Sequence, residues 1–173
     1  MRDAKNYDLS RIVEIYNSTI DSRMSTADTE VVTVQSRSKW FQSHSTTRPI
    51  FVEEVGGEVK GWISFENFYG RKAYHLTAEI SVYVDEQYRK QGVGSRLLSE
   101  GITQCPSLGL ENLVAFIFSH NSASIKLFEK HGFTRWGELP NVAEMDGSLY
   151  CLSILGLKVK PHNNHFHSTQ KDA

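Results

Sequence analysis

The chain has 173 residues, of which 39% are hydrophobic and 23% are charged, and its formal net charge is −1. This length supports one hydrophobic core, so we expect one domain, and the near-neutral charge argues against nucleic acid or a membrane surface as partner. No apolar run approaches the roughly 20 residues of a membrane-spanning helix, and the first residues are polar where a signal peptide is apolar. We therefore expect a cytoplasmic protein.

The N-terminal part predicts a short strand over residues 1–4 and then two helices. Asp8 is the expected cap of the first helix, and a polar loop over residues 21–32 is of a kind that often lines a site. The second helix is predicted to start at Thr33 and to end before residues 46–49, and Pro49 then starts an extended segment. The apolar positions recur at helical spacing, with Leu9, Ile12, Val13, Tyr16 and Ile20 in the first helix and Val34, Arg37, Trp40 and Phe41 on the inner side of the second.

From residue 50 the apolar residues recur at every second position, which indicates strands. Residues 50–55 and 59–65 flank the pair Gly56-Gly57, a hairpin signal, and residues 76–84 predict a third strand. The linker over residues 67–75 is aromatic and basic. It suits either a small anionic ligand or a solvated loop with a few packed rings, and the sequence leaves both open.

A glycine-rich turn follows the third strand and leads into a helix that carries Leu97 and Leu98. Gly92 and Gly94 have no side chain, so the backbone N–H groups of residues 89–96 can converge on phosphate oxygens at the positive end of the helix dipole. No Gly-Lys-Ser/Thr occurs, and Leu97 stands where a dinucleotide fingerprint needs a small residue. A kinase glycine loop would need far more chain. An ordinary strand-to-helix turn remains open.

The last third of the chain predicts a buried strand over residues 112–118, a helix over 123–130 that stops at Gly132, and strands over 133–139 and 149–155 joined by a loop over 140–147. This order predicts an α+β fold around one mixed sheet. Residues 160–173 are polar and contain three histidines, which favours a disordered tail over a metal site. The cysteines, Cys105 and Cys151, have no metal-binding spacing, so we expect reduced thiols and no metal.

Two motifs in this order resemble those of the GNAT superfamily of N-acetyltransferases. Arg89-x-x-Gly92-x-Gly94 resembles its pyrophosphate loop, and residues 121–133 resemble its second signature, N-x-x-S-x-x-L-x-E-x-x-G-F. Further runs, over residues 8–17, 77–84 and 137–147, resemble the phosphinothricin and methionine sulfoximine N-acetyltransferase branch. The resemblance covers nearly residues 1–159, which we expect to form the acetyltransferase domain.

The resemblance implies the GNAT fold, acetyl-CoA as co-substrate, direct transfer to a small-molecule amine, and a homodimer. It also implies a set of residues that contact the cofactor along the third strand, the glycine loop and the second signature. These are Val82, Tyr83, Val84, Arg89, Lys90, Gln91, Gly92, Val93, Gly94, Ser95, Arg96, Asn121, Ser124 and Lys130.

The chemistry requires a base, because an unperturbed α-amine has a pKa of about 8 and is largely protonated near neutral pH. Glu79 is the candidate, since it matches the glutamate of the branch and alternation places it on one strand face with Ser81 and Tyr83. A solvent-facing strand glutamate is the alternative. The resemblance also implies that a backbone N–H of residues 82–84 polarises the thioester carbonyl. Phe128 stands where relatives carry a tyrosine or histidine that donates a proton to the leaving thiolate. The donor could instead be Tyr83, another tyrosine or water, or the enzyme has no dedicated acid.

The resemblance places the amino-acid substrate near the aromatic and basic linker, with Arg71, Lys72, Tyr74 and Glu79 as its expected contacts. Ala27 stands where relatives usually have phenylalanine, so the exact substrate does not carry over. The cysteines fall outside both motifs, which disfavours an acetyl-cysteine intermediate. Three other acceptors remain open, namely a peptide N-terminus, an aminoglycoside or a polyamine, and so does a non-catalytic acyl-CoA sensor.

Overall fold

Residues 1–159 are described by the computed structural model of the chain, and within them the strands form one seven-stranded sheet. The predicted tail over residues 160–173, with His162, His165 and His167, lies outside the described residues. The elements are β1 (Arg2–Asp3), α1 (Leu9–Asn17), α2 (Val34–Ser43), β2 (Ile50–Val55), β3 (Glu58–Asn67), β4 (Thr77–Val84), α3 (Val93–Gln104), β5 (Asn112–Phe118), α4 (Ser122–Lys130), β6 (Thr134–Met145) and β7 (Ser148–Lys158).

The sheet is mixed, which confirms the predicted fold class. Its strand order is β1-β2-β3-β4-β5-β7-β6, and every neighbouring pair is antiparallel except β4 and β5, which run parallel. Within residues 1–159, no helix is long and apolar enough to cross a membrane.

Side chains on the two faces of the sheet enter different hydrophobic clusters. Ile63 and Ile80 pack in a cluster with side chains of α3 and α4, whereas Trp62 packs with side chains of α1 and the partly buried Tyr83. Since successive strand residues face opposite sides, this alternation places Glu79 on the same face as Tyr83, toward α1 and α2. The predicted shared face of the two residues is therefore the observed one.

The β4–β5 pair is short, and this opens the sheet. The two strands pair only at Thr77–Asn112, Ala78–Leu113 and Glu79–Val114. Beyond these positions β4 continues alongside β3 as far as Val84, while β5 continues alongside β7 as far as Phe118. A cleft therefore separates the ends of β4 and β5.

Two local predictions are wrong, and a third holds only for its position. Asp8 is the N-cap residue of α1, but its carboxylate does not cap the helix, because it accepts hydrogen bonds from the Arg2 guanidinium and the Lys5 N–H instead. Val34 is 42% exposed and does not face the core. Residues 140–145 belong to β6, and only residues 146–147 form a turn. A register shift within residues 139–143 leaves Pro140, which has no N–H to donate, outside the paired positions of the sheet edge.

Candidate active site

The cleft between β4 and β5 contains two adjoining cavities. The first, of about 420 Å³, is lined by β4, β5, β6 and the loop between α1 and α2, and it contains Glu79. The second, of about 460 Å³, is lined by β4, the glycine loop and the start of α4. The cavities meet at a shared wall, which consists of Met24, Ser25, Val82, Tyr83, Asn121 and Ser124.

The glycine loop forms one side of the second cavity. Gly92 caps α3 with φ +80°, a conformation that favours glycine, so the chain turns sharply into the helix. A Cβ on Gly94 would lie 3.2 Å from Leu127 of α4 and 3.4 Å from Val84 of β4, so glycine allows these elements to approach. Of the predicted cofactor contacts, the structure brings together around this cavity Val82, Tyr83, Val84, Arg89, Lys90, Gly92, Val93, Gly94, Ser95, Asn121 and Ser124.

Three predicted cofactor contacts do not line this cavity: Gln91, Arg96 and Lys130. The Arg96 guanidinium turns away to donate to the buried Glu53 carboxylate at 2.9 Å and to the Gln91 carbonyl at 3.2 Å. Lys130 is exposed at the far end of α4, roughly 13 Å along the helix from Asn121. Arg96 therefore braces the loop rather than pointing into the cavity.

The loop over residues 21–33 covers the point where the cavities meet. Asn121 is 5% exposed, and its amide donates to the Met24 carbonyl at 2.9 Å while its oxygen accepts from the Ser124 N–H at 3.1 Å. The Tyr83 hydroxyl donates to the Ser25 carbonyl at 3.2 Å. Asn121 of the second signature thus holds the covering loop as well as the start of α4, a role that the motif alone did not indicate.

Glu79 is half-buried in the first cavity, and its cross-strand neighbour on β3 is another carboxylate, Glu66. Burial raises the pKa of the Glu79 carboxyl, and the nearby charge of Glu66 raises it further. The Trp40 indole N–H donates to Glu66 at 3.1 Å. Within residues 1–159, neither carboxylate forms an ion pair. Sequence reasoning missed Glu66, which pairs with Glu79 although it does not line either cavity.

Two aromatic residues occupy the positions where a general acid was sought. Tyr83 stacks on Trp62 with ring centroids 4.6 Å apart, and burial raises the pKa of its hydroxyl, which therefore stays protonated at neutral pH. Phe128 is 4% exposed, lines the first cavity and packs edge-to-face on Phe133. Its ring offers no proton at this position.

The expected substrate contacts on the linker lie apart from the cavities. Arg71, Lys72 and Tyr74 are exposed, and none lines either cavity, although Tyr74 packs against Phe68 with ring centroids 5.5 Å apart. Ala27 does line the first cavity. Of the four predicted substrate contacts, the structure brings only Glu79 to the cavity wall.

Neither cysteine lies at the site. Cys105 is fully buried in the core beneath α3, where burial raises the pKa of its thiol to about 12. Cys151 lies against Asn141, outside both cavities. Across the described part of the chain, no group of three or more histidine, cysteine or acidic side chains could hold a metal ion.

Comparisons with known proteins find one family and several relatives that the chain resembles. The profile of the Acetyltransferase (GNAT) family matches residues 12–133. YwnH of Bacillus subtilis (strain 168), provisionally named a phosphinothricin acetyltransferase, is 57% identical over 157 residues, covering 90% of this chain and 96% of YwnH. The L-methionine sulfoximine/L-methionine sulfone acetyltransferase of Salmonella typhimurium (strain LT2) is 31% identical over 163 residues, covering 94% of this chain and 95% of that protein.

A solved structure carries the same fold together with its cofactor. It is that of yncA, a provisionally named acetyltransferase from Salmonella typhimurium, with acetyl-CoA. It matches with a TM-score of 0.87 and 31% sequence identity, and the match covers 94% of each chain.

Proposed function

Because the chain belongs to the GNAT acetyltransferase family, in its phosphinothricin and methionine sulfoximine branch, it is an acetyl-CoA-dependent N-acetyltransferase, and we propose that its acceptor is the α-amine of a small amino-acid-like compound. Methionine sulfoximine, methionine sulfone and phosphinothricin are the proposed acceptor types. The observation that carries the proposal is the shared wall between a glycine-loop cavity and a cavity with a half-buried carboxylate.

The second cavity is the proposed acetyl-CoA site. The N–H groups at the start of α3 and the cations of Arg89 and Lys90 suit the pyrophosphate, and the gap between β4 and α4 suits the pantetheine arm. The acetyl thioester would then lie at the shared wall, beside Tyr83. The structure of the Salmonella relative contains acetyl-CoA, which supports acetyl-CoA as the co-substrate.

In the proposed mechanism, Glu79 accepts a proton from the substrate ammonium, directly or through one water, and the freed amine attacks the thioester carbon. The developing oxyanion is stabilised by a backbone N–H of residues 82–84, where β4 has no β5 partner. The carbon–sulfur bond then breaks and the thiolate leaves. The attacking nitrogen must lose a second proton as the amide forms, and the thiolate, with a pKa of about 8.5, takes up this proton, directly or relayed by a water. Proton donation by Tyr83 is not required and is uphill, because burial raises the pKa of its hydroxyl.

One observation favours a second candidate, a cationic acceptor such as a polyamine. Glu66 and Glu79 place two carboxylates without an ion pair near the first cavity, whereas Arg71 and Lys72, which suit an anionic substrate, lie outside it. An acidic cleft attracts cations. The test below therefore includes both classes.

The proposed acceptor class is tested by release of the CoA thiol from acetyl-CoA with a panel of amines. The panel contains methionine sulfoximine, methionine sulfone, phosphinothricin, ordinary amino acids, a polyamine, an aminoglycoside and an N-terminal peptide. We expect kcat/KM for the three tetrahedral-headed amino acids to exceed that of every other amine by at least roughly 100-fold, since pocket contacts of about 3 kcal/mol separate good from poor substrates. A higher kcat/KM for the polyamine would replace this proposal with the second candidate.

We also propose that the protein is a homodimer, as the branch resemblance implies. The β6–β7 hairpin carries large apolar side chains on its surface, an arrangement typical of interaction surfaces. These are Trp136, Leu139, Val142 and Leu149, with exposed fractions of 46%, 40%, 55% and 61%.

Replacing Leu149 with aspartate is expected to weaken dimerisation by roughly 10- to 100-fold, because a buried charge at an interface is costly. Sedimentation of the wild-type chain should give twice the mass of one chain, and that of the variant should give one chain mass at the same concentration. Val31→Asp is the matched control, since Val31 is also strongly exposed but lies in the loop between α1 and α2. A dimeric Leu149→Asp protein would place the interface elsewhere.

A further inference from the structure

The pair of carboxylates on β3 and β4 suggests a role for a residue outside the two signatures. The geometry points to Glu66 as a positioning residue whose fixed negative charge strengthens Glu79 as the catalytic base. The inference rests on the proposed role of Glu79. It assigns to Glu66 no contact with either substrate, because Glu66 does not line either cavity.

The strand register brings the two carboxylates together. Glu66 and Glu79 are direct cross-strand partners, so their Cβ atoms lie roughly 4.5–5.5 Å apart on one face. Like charges in this position repel, so sheets usually avoid such pairs. Here the pair persists at the edge of the acceptor cavity, and no arginine or lysine within residues 1–159 forms an ion pair with either member.

Trp40 of α2 holds the Glu66 side chain in position. Its indole N–H donates to the Glu66 carboxylate at 3.1 Å. The Trp40 ring in turn packs on Trp62, with ring centroids 5.6 Å apart, so the donor is fixed against the sheet. The Glu66 carboxylate is therefore fixed beside Glu79.

Other charged and titratable groups near this face come from separate elements. Tyr83 lies on β4, Tyr16 on α1, Asp28 in the covering loop and Arg37 on α2. The Arg37 guanidinium lies 4.5 Å from the ring centres of Tyr16 and Trp40, and His44, at the end of α2, packs edge-to-face on Trp40. From β5 the partner of Glu79 is Val114, which carries no charge. Burial raises the pKa of Glu79, and the charge of Glu66 raises it further.

The charge of Glu66 affects the proton transfer that Glu79 performs in the proposed mechanism. A base works best when its pKa lies near the operating pH, and an unperturbed glutamate, with a pKa of about 4.3, is far weaker than the amine that it must deprotonate. A neighbouring negative charge disfavours the ionised form of Glu79 and so increases its affinity for the proton of the substrate ammonium. Trp40 thus fixes the Glu66 carboxylate beside Glu79, and the charge of Glu66 makes Glu79 the stronger proton acceptor.

The test is the pH profile of kcat/KM for the wild-type enzyme, Glu66→Gln and Glu79→Gln, measured with whichever panel amine has the highest turnover. Glutamine at residue 66 keeps an oxygen for the Trp40 N–H but removes the charge. In the wild-type enzyme, kcat/KM should fall at low pH as Glu79 becomes protonated, and we call this fall the acidic limb. In Glu66→Gln we expect the acidic limb to lie roughly 0.5–1 pH unit lower, and kcat on the plateau above it to be about 2- to 10-fold lower than in the wild-type enzyme. The KM for acetyl-CoA should stay within a factor of two.

Two further variants separate a local charge effect from a structural one. Glu66→Asp retains the charge and is expected to restore most of the wild-type position of the limb. Glu144→Gln removes the same charge from an exposed position on β6 and should leave the limb unmoved. A wild-type limb in Glu66→Gln, or an equal shift in Glu144→Gln, would overturn the inference.

The outcome for Glu79→Gln keeps the two proposals distinguishable. If that variant loses the acidic limb while Glu66→Gln retains the wild-type limb, Glu79 remains the base and only the role of Glu66 fails. If Glu79→Gln retains both the limb and the turnover of the wild-type enzyme, the proposed base fails, and the role of Glu66 fails with it.

Discussion

Replacing Glu79 with glutamine is expected to lower kcat at neutral pH by roughly 10²- to 10⁴-fold, the usual contribution of a general base. The amide keeps the shape of the side chain in the first cavity but cannot accept the ammonium proton. The residual rate should rise with pH as the substrate amine, with a pKa of about 8, loses its proton in solution, so the deficit is largest at low pH. Steady-state kinetics from pH 6 to pH 9.5 measures this deficit.

Two measurements separate lost chemistry from lost structure in Glu79→Gln. Calorimetry should give a Kd for acetyl-CoA close to that of the wild-type enzyme, because the glycine loop is untouched. Since the pKa of Glu79 is raised in the folded state, its ionised form opposes folding at pH values above that pKa. The melting temperature at pH 7 should therefore stay equal or rise. Wild-type turnover across the pH range would remove Glu79 from the role of base.

Replacing Gly94 with valine is expected to weaken acetyl-CoA binding by at least roughly 100-fold. The added Cβ would meet Leu127 at 3.2 Å and Val84 at 3.4 Å, and the branched methyl groups would extend further into the space between β4, α3 and α4. These elements line the second cavity, so the substitution narrows the cavity as well as obstructing the approach of a phosphate to the loop.

Calorimetry with acetyl-CoA measures the loss in Gly94→Val, and circular dichroism with thermal melting checks that the variant is folded. Gly94→Ala adds only the Cβ and should show an intermediate loss. Gly137→Ala is the matched control, because a Cβ there would make only ordinary contacts with Ile154 of β7, outside both cavities. Retained binding in a folded Gly94→Val protein would contradict the assignment of the loop.

Much of the fold could be predicted because side-chain periodicity reports directly on burial. The apolar residues of α1 recur at helical spacing, and the boundaries of β5 agree with a continuous apolar run. Pro140 misled the prediction at β6, since a proline normally ends a strand and the register shift that accommodates it depends on pairing with β7. Asp8 lies at the predicted N-cap of α1, but its carboxylate does not cap the helix, because its hydrogen-bonding partner, Arg2, lies on a separate element.

The site residues that belong to contiguous sequence motifs could be predicted. The glycine loop, Asn121 and Ser124 belong to contiguous motifs, and apart from Gln91 residues 89–95 line the second cavity together with Asn121 and Ser124. Arg96 was predicted to contact the cofactor, but its side-chain direction is determined by Glu53, 43 residues away in the sequence. Glu66 was missed because its pairing with Glu79 depends on a register across the 67–75 linker, and no sequence pattern fixes that register.

The shared wall of the two cavities couples the binding of the two substrates. Met24 and Ser25 belong to both cavities, and their carbonyls are held by Asn121 and Tyr83, which also belong to both. A ligand that orders this wall from one side reduces the entropy that a second ligand must lose on the other side. Acetyl-CoA and the acceptor amine should therefore bind with positive cooperativity, and by reciprocity each should lower the Kd of the other by the same factor.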